Sequence, residues 1–208
     1  MKAIFVSGTD TGVGKTLVSA WIARHWPAEY WKPAQTGTAT DDGDDSAGVA
    51  RLGGVRVHPE ACRFAAPESP ARAAELEGAT IDPACFALPW AERLVVEGAG
   101  GLMVPIADAF LMIDLARQLD LPVLLVARSG LGTINHTLLS AEVLRARGMT
   151  LLGVVLSGAP NVANRAAIER HGRLPVLAEL PLLHGADQAA ALAALALPAS
   201  LRAALDQL

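Results

Sequence analysis

A glycine-rich loop that ends in a lysine and a threonine lies near the start of the chain, in the sequence VSGTDTGVGKT at residues 6–16. Glycines let backbone N–H groups turn towards an anion, and the N-terminus of a following helix adds partial positive charge. Lys15 adds a full positive charge, and Thr16 supplies a hydroxyl where a phosphate-bound Mg²⁺ would sit. The loop is therefore predicted to bind the phosphates of a nucleotide.

The loop is a variant of the common phosphate-binding pattern. That pattern has four residues between its first glycine and the final Gly-Lys-Ser/Thr, whereas five residues lie between Gly8 and Gly14 here. Asp10 either braces the turn through side-chain to backbone bonds or serves the ligand, and the sequence leaves both roles open. The residues predicted to contact the nucleotide in this segment are Thr11, Gly12, Val13, Gly14, Lys15, Thr16 and Leu17.

Carboxylates that could bind Mg²⁺ occur in two places. Glu97 closes the apolar run RLVVE and is followed by Gly98, Ala99 and Gly100, whose small size leaves room for a ligand beside the backbone. A phosphoryl-transfer enzyme keeps a Mg²⁺-binding carboxylate in such a position. The loop TDDGDD at residues 40–45 holds four aspartates, and the pattern alone does not choose among them.

A second lysine is expected at the same place. Lys32 stands before Pro33 at the end of a predicted strand, so it should reach the carboxyl edge of the sheet where the phosphate loop lies. Two lysines converging on a triphosphate are more than binding needs, and they indicate stabilisation of charge as a phosphoryl group moves. Lys15 and Lys32 are therefore the candidate catalytic residues.

These residues need a sheet that brings strand ends together, and the chain alternates strand-like with helical runs. The predicted strands are residues 2–7, 29–33, 93–98, 121–127, 151–157 and 174–179, and the predicted helices are residues 15–25, 111–119, 135–147, 162–171 and 187–205. Ser69 and Asp82 are predicted to start short helices within a less regular stretch. The sequence indicates an α/β fold of the P-loop NTPase type, with a mainly parallel sheet flanked by helices on both faces and residues 1–208 in one domain.

Composition excludes several classes of partner. The net charge of −4 gives no broad basic face for nucleic acid or anionic lipid. The apolar runs are too short to span a membrane or to act as a signal-peptide core. Cys62 and Cys85 lie far apart in the sequence and lack metal-binding spacing, as expected for thiols with no redox or metal-binding role in a reducing compartment. A cytoplasmic location is predicted.

Four motifs together resemble the ATP-dependent dethiobiotin synthetase family: GTDTGVGKT, KPAQTG, VEGAGGLMVP and GLGTINHTLLSAEVLRARG. The resemblance extends from residue 2 to about residue 157. It implies an enzyme of biotin biosynthesis that uses ATP, Mg²⁺ and CO₂ to close a cyclic urea on 7,8-diaminopelargonic acid. One amine would take up CO₂ as a carbamate, the carbamate would attack the γ-phosphate, and the other amine would displace phosphate from the mixed anhydride to give dethiobiotin.

The resemblance also implies roles for single residues. Lys32 matches the family's catalytic lysine, while Lys15 and Thr16 match the phosphate-loop lysine and a Mg²⁺ ligand. Alignment of DSAGVARL selects Asp45 from the four aspartates as a ligand of Mg²⁺ and nucleotide. Glu97 matches the remaining carboxylate, so the implied metal site is Thr16, Asp45 and Glu97.

The diamine site is implied to straddle the interface of a homodimer. Thr36 aligns with a Ser or Thr that contacts the substrate. The loop LGTIN of the second subunit would receive the substrate carboxylate through Leu131, Gly132, Thr133 and Asn135. Judged by its residues alone, this segment is another loop that enters a helix and can bind an anion through free N–H groups.

Three departures from the family pattern stand out. The segment between Lys15 and Lys32 is several residues shorter than the family's. Ser157 stands where members often carry an asparagine that reads adenine, which leaves the preferred base open. Beyond residue 158 the match continues only through ELPLL, whose Pro181, Leu182 and Leu183 are predicted to line the base pocket.

Other functions could use the same elements. The amidating enzymes of cobalamin synthesis and the synthetase half of CTP synthase share the variant loop, but they are generally fused to a glutaminase domain. A dimeric ATP switch of the partition type has a lysine early in the loop, where this chain has Thr9, Asp10 and Thr11. A small-molecule kinase would use the same loop, metal and lysines but would yield a stable phosphorylated product.

Overall fold

The computed structural model describes residues 1–39, 44–183 and 187–208. Its strands are β1 (Lys2–Gly8), β2 (Glu29–Trp31), β3 (Ala34–Gln35), β4 (Val57–His58), β5 (Cys62–Arg63), β6 (Arg93–Gly101), β7 (Pro105–Ala107), β8 (Phe110–Leu111), β9 (Val123–Arg128), β10 (Leu151–Ser157) and β11 (Val176–Leu180). Its helices are α1 (Lys15–His25), α2 (Asp45–Gly53), α3 (Pro70–Leu76), α4 (Met112–Gln118), α5 (Thr133–Ala146), α6 (Val162–Gly172), α7 (Gln188–Ala194) and α8 (Ala199–Asp206), with a 3₁₀ turn at Pro83–Cys85.

A parallel sheet of seven strands organises the described residues, in the order β11, β10, β9, β1, β6, β2, β4. β6 lies between β1 and β2, and both of its neighbours run in the same direction. The carboxyl ends of these three strands therefore meet at one edge of the sheet. β3 with β5 and β7 with β8 form two further two-stranded sheets.

Helices cover both faces of this sheet because successive side chains of each strand point in opposite directions. Ala3 and Phe5 of β1 belong to one apolar cluster, which includes residues of α3, α4, α5 and α6. Ile4 and Val6 belong to the other, which includes residues of α1, α2, α7 and α8. The predicted α/β fold, with a mainly parallel sheet flanked on both faces, is confirmed. The assignment of residues 1–208 to one domain stays a prediction.

Two sequence-based element predictions were wrong. The helix predicted at 187–205 is two helices, α7 and α8, bent by 82° at their junction. Pro198 stands directly before α8, and a proline both lacks an N–H donor and disfavours helical backbone in the residue before it. Asp82 starts only the 3₁₀ turn, where its carboxylate accepts a hydrogen bond from the N–H of Ala84.

No single helix among the described residues is long and apolar enough to cross a membrane, although the bent pair of α7 and α8 passes that test by combined length and composition.

Candidate active site

Three elements of the sheet edge bring the predicted polar residues together. The loop after β1 leads into α1 at Lys15, Lys32 follows β2, and Glu97 lies within β6 between them. Asp45 is the first residue of α2, which packs beside α1. The carboxylate of Asp44 caps α2 by accepting a hydrogen bond from the N–H of Ala47. This cap fixes where α2 begins and hence where Asp45 projects.

Lys32 lies at the centre of this group. Its Nζ is 2.6 Å from Oδ2 of Asp45 and 3.2 Å from Oε1 of Glu97, and it donates a hydrogen bond to the carbonyl of Gly98 at 3.2 Å. The Lys32 side chain is 3% exposed and that of Glu97 is 0% exposed. All three ammonium protons can thus be used within the site, and two carboxylates compensate a cation that has left water.

Thr16 and Tyr30 complete the contacts of the two carboxylates. Thr16 Oγ1 lies 2.5 Å from Oδ1 of Asp45 and 3.2 Å from Oε1 of Glu97. Because a hydroxyl has one proton, it can donate to only one of these acceptors at a time. The hydroxyl of Tyr30 donates to Oε2 of Glu97 at 3.1 Å. Sequence analysis gave Tyr30 no role.

Burial and charge shift the pKa values of these groups in different directions. Burial lowers the pKa of Lys15, and the nearby Glu97 carboxylate offsets this only in part. For Lys32 burial also lowers the pKa, but Glu97 and Asp45 outweigh it and the net pKa is raised. Burial alone would raise the pKa of Asp45, yet the charge and hydrogen bond of Lys32 bring it below its ordinary value of 3.8. Lys32 and Asp45 are therefore a charged pair at neutral pH.

The phosphate loop has the backbone geometry of an anion site. Gly12 and Gly14 have φ values of 69° and 94°, in the left-handed region that favours glycine. No side chain of the described residues caps the start of α1, so its first N–H groups face the cavity uncapped. A Cβ on Gly14 would stand 2.5 Å from Oγ of Ser157, which places Ser157 beside the loop.

Asp10 braces the loop. One carboxylate oxygen accepts a hydrogen bond from the N–H of Thr11 at 2.8 Å, and the other lies 2.6 Å from Nη2 of Arg128 at the end of β9. The backbone carbonyl of Asp10 accepts a hydrogen bond from Lys15 Nζ at 3.3 Å. These contacts favour the bracing role among the two that the sequence left open.

A cavity of about 790 Å³ lies over this edge of the sheet. The predicted site residues among its lining are Thr11, Gly12, Gly14, Lys15, Thr16, Leu17, Lys32, Thr36, Asp45, Glu97, Ala99 and Gly100. This volume falls in the range of small-molecule sites, which is about 300–1,000 Å³. The structure thus gathers most of the predicted nucleotide, metal and catalytic residues around one space.

Other predicted residues do not line this cavity. Val13 is buried in the apolar cluster of α1, and Gly98 packs against the ring of Phe5, although its carbonyl serves Lys32. The remaining predicted residues outside the lining are Ser157, Pro181, Leu182, Leu183, Leu131, Gly132, Thr133 and Asn135. Their nucleotide or substrate roles stay predictions. Asp41, Asp42 and Gly43 of the aspartate loop lie outside the described residues.

Sequence analysis missed several lining residues, which are Gly37, Leu52, Val104, Gln188 and residues 67–70. Ser69 carried a signal as the predicted start of α3, and Gly37, Leu52 and Val104 lie within segments used for the family resemblance, but none of them was assigned to the site. Gln188 begins α7, far along the chain from the phosphate loop, and its Nε2 donates to the carbonyl of Leu183 at 3.3 Å. It therefore connects the cavity to the segment predicted to hold the base.

The chemistry of the donors determines which metal the site could accept. Residues 1–39, 44–183 and 187–208 contain no group of three or more His, Cys, Asp or Glu side chains that could hold a metal ion. The Thr16 hydroxyl and the carboxylates of Asp45 and Glu97 converge as three oxygen donors. Mg²⁺ prefers oxygen and commonly takes one or two carboxylates, with substrate phosphates and water as its other ligands. These residues fit Mg²⁺ bound together with a nucleotide.

A second cavity of about 360 Å³ also borders the phosphate loop. Its lining includes Thr9 and Asp10 of the loop, Met103, and Leu139 of α5. Met103 and Leu139 are exposed large apolar side chains, and so is Leu131 in the predicted substrate loop at residues 131–135.

Comparison with known proteins identifies close relatives. A family model described as an AAA domain matches residues 2–190. The ATP-dependent dethiobiotin synthetase BioD of Paramagnetospirillum magneticum is 56% identical over 182 residues, covering 86% of this chain and 88% of that protein. The synthetase BioD of Rhodopseudomonas palustris strain HaA2 is 50% identical over 186 residues, with 88% and 86% covered. The biotin biosynthesis bifunctional protein BioCD of Bordetella avium is 57% identical over 189 residues, which cover 89% of this chain but 41% of that longer protein.

Solved structures with a similar fold are more distant in sequence. A ParA family ATPase from Chlorobium tepidum TLS gives a TM-score of 0.51 at 10% identity, covering 88% of this chain and 84% of that one. The cell division ATPase MinD of Pyrococcus furiosus gives a TM-score of 0.52 at 18% identity, covering 87% and 84%. At such identities the likeness concerns the fold alone, and it confirms the predicted P-loop NTPase type.

Asp45→Asn should cost more stability at pH 6 than at pH 3 in metal-free buffer. The folded-state pKa of Asp45 lies below 3.8, so the ionised carboxylate stabilises the fold above that pH and loses this contribution as the pH falls towards the folded-state pKa. We expect a loss of about 1–3 kcal/mol at pH 6, measured by urea denaturation. Asp108→Asn, at an exposed position, is the control. Equal losses for Asp45→Asn at both pH values would contradict the account.

Proposed function

Because the chain belongs to the family of ATP-dependent dethiobiotin synthetases, we propose that its site closes the cyclic urea of dethiobiotin on 7,8-diaminopelargonic acid, using ATP and CO₂. The enzyme is an ATP-dependent ligase of biotin biosynthesis. The observation that supports the detailed chemistry is the buried group of Lys32, Asp45 and Glu97 beside the phosphate loop. This group places a charged ammonium beside two carboxylates that could bind a metal ion, next to the loop proposed to hold the triphosphate.

Lys15 and the uncapped N–H groups of α1 are proposed to bind the phosphates of ATP. Thr16, Asp45 and Glu97 would hold Mg²⁺, which when bound neutralises charge on the phosphate oxygens. Lys32 would give up part of its contact with Asp45 once that carboxylate ligates the ion. Its ammonium could then stabilise the charge that develops as the phosphoryl group moves.

The proposed bond changes are those that the family resemblance implies. One amine of the diamine adds to CO₂ and loses a proton, and the carbamate oxygen then attacks the γ-phosphorus of ATP as ADP leaves. The second amine attacks the carbonyl carbon of the mixed anhydride and loses a proton as phosphate leaves, which closes the ring. Thr36, which lines the cavity, is the proposed substrate contact on this side. The cavity must exclude water, because water would hydrolyse the mixed anhydride.

A homodimer would complete the site. The support is the exposure of large apolar side chains, namely Met103 and Leu139 at the second cavity and Leu131 in the predicted substrate loop, since exposed apolar surface can mark interaction sites. The loop Leu131, Gly132, Thr133 and Asn135 would then receive the substrate carboxylate from the second subunit. Gly132 has a φ of 89° at the start of α5, and no side chain of the described residues caps that helix. Free N–H groups there suit a carboxylate.

Turnover measurements distinguish the proposed synthetase reaction from those of a nucleotide switch and of a small-molecule kinase. A switch would hydrolyse ATP without regard to a diamine, and a kinase would retain the phosphoryl group on its product. The proposed synthetase should release phosphate only with both bicarbonate and the diamine present. Mass spectrometry should then detect the cyclic urea, and ATP turnover independent of the diamine would refute the proposal.

Lys32→Ala should lower the rate of diamine-dependent phosphate release by at least about 10²-fold, because it removes charge stabilisation in the transition state. Affinity for ADP, measured by calorimetry, should change far less, since Lys15 and the loop remain. Lys2→Ala is a matched control, because Lys2 is the one other lysine of the three in the sequence and contacts the carbonyl of Asp206 away from the cavity. A Lys32→Ala enzyme with nearly normal turnover would exclude the catalytic role.

Leu139→Asp should weaken the dimer by roughly 30-fold or more, the effect of losing a central interface side chain. Sedimentation velocity over a range of concentrations would measure this. The same variant should raise KM for the diamine while ADP still binds, because only the diamine site depends on the second subunit. Leu76→Asp, at an exposed position of α3, serves as the control. An unchanged oligomeric state for Leu139→Asp would contradict the proposed interface.

A further inference from the structure

A tyrosine beneath the site has no part in the function described so far. Tyr30 lies on β2 and is 0% exposed, packed in the apolar cluster that also contains residues of α1 and β6. Its only polar atom beyond the backbone donates to Oε2 of Glu97 at 3.1 Å. A buried hydroxyl in an apolar cluster costs free energy unless it is paired, so this contact fixes both groups.

The two oxygens of Glu97 have different surroundings. Oε1 faces the site, where it lies 3.2 Å from Lys32 Nζ and 3.2 Å from Thr16 Oγ1. Oε2 faces Tyr30. The carboxylate therefore cannot rotate about its last bond without breaking a buried hydrogen bond. Tyr30 holds Oε1 towards the position where Thr16 and Asp45 also present oxygen atoms.

The hydrogen bond from Tyr30 has a carboxylate as its acceptor. A hydrogen bond to a charged acceptor is one of the stronger kinds in proteins, so this contact can hold Glu97 in a fixed orientation.

We propose that Tyr30 is a positioning residue for Mg²⁺: by holding Oε2 of Glu97, it presents Oε1 to the ion, in a site that itself rests on the proposed function. Second-sphere partners of this kind orient ligands and tune affinity, and their loss typically lowers metal affinity 10- to 100-fold. Tyr30 does not contact substrate or nucleotide, since it lies beneath Glu97 and does not line the cavity.

Tyr30→Phe removes the hydroxyl and keeps the ring, so it tests the hydrogen bond with little change in packing. The measurement is calorimetry of ADP binding with and without Mg²⁺. We expect Mg²⁺ to tighten ADP binding by the wild-type enzyme, and about 10-fold of that enhancement to be lost in Tyr30→Phe. Binding of ADP without Mg²⁺ should be unchanged. In the turnover assay, half-maximal rate should need more Mg²⁺ while kcat at saturating Mg²⁺ changes little.

Two further variants separate the possible failures. Glu97→Gln should lose most of the Mg²⁺ enhancement, because it removes the proposed ligand itself. Trp31→Phe removes another buried donor from β2, one that bonds to the carbonyl of Pro59 at 2.9 Å on the opposite face of the sheet. It should lower stability to urea and leave the Mg²⁺ enhancement intact.

The outcomes are distinct. A normal Mg²⁺ enhancement in Tyr30→Phe, with the enhancement lost in Glu97→Gln, would overturn the role of Tyr30 alone. An equal loss of ADP affinity with and without Mg²⁺ in Tyr30→Phe would show a merely structural role and would also overturn it. A normal enhancement in Glu97→Gln would overturn both the proposed metal site and the inference that rests on it.

Discussion

A buried ammonium group between two carboxylates is the interaction on which the site depends. Removing a lysine from water is costly unless opposite charges and hydrogen bonds replace the lost solvation. Lys32 meets this condition because Asp45, at the start of α2, and Glu97, within β6, both lie beside it. The site therefore depends on assembly of the sheet with α2. Loss of Lys32 would leave two carboxylates without their cation, and loss of either carboxylate would leave Lys32 with a single counter-charge.

The position of β6 between β1 and β2 explains how one residue can serve several neighbours. Glu97 contacts Thr16 from the helix after β1, and both Lys32 and Tyr30 from the segment around β2. Because these contacts are buried, each acts in a low dielectric and is stronger than it would be at the surface. The same carboxylate thus contacts Thr16, Lys32 and Tyr30 at once, and in the proposed function these contacts join the metal site to the catalytic lysine.

The local sequence pattern predicted much of this arrangement. The residues and elements that it did not predict share a physical cause. Residue type next to a strand or helix end was enough to predict the phosphate loop, Lys15, Thr16, Lys32 and Glu97. Tyr30 and Gln188 do not, since a tyrosine in an apolar strand and a glutamine at a helix start acquire a role only through contacts distant in sequence. The choice of Asp45 as a ligand required the family resemblance, because the sequence pattern does not distinguish the four aspartates of the loop. In the structure they differ because the cap at Asp44 determines where α2 begins. The prediction of one helix at 187–205 was wrong because Pro198 breaks it. The apolar residues on both sides of Pro198 continue a helical pattern in the sequence, but the proline backbone cannot continue the helix.

The proposed mechanism requires Lys32 to exchange a carboxylate for phosphoryl oxygens when metal and nucleotide bind beside Thr16, Asp45 and Glu97. Anomalous diffraction from crystals grown with Mn²⁺ and ADP would test it most directly. We predict a manganese peak within about 2.0–2.6 Å of oxygens of these three residues, the range for hard divalent cations, with Lys32 Nζ further from Oδ2 of Asp45 than the present 2.6 Å. A manganese peak elsewhere, or Lys32 still paired with Asp45 beside a bound ion and nucleotide, would contradict the account.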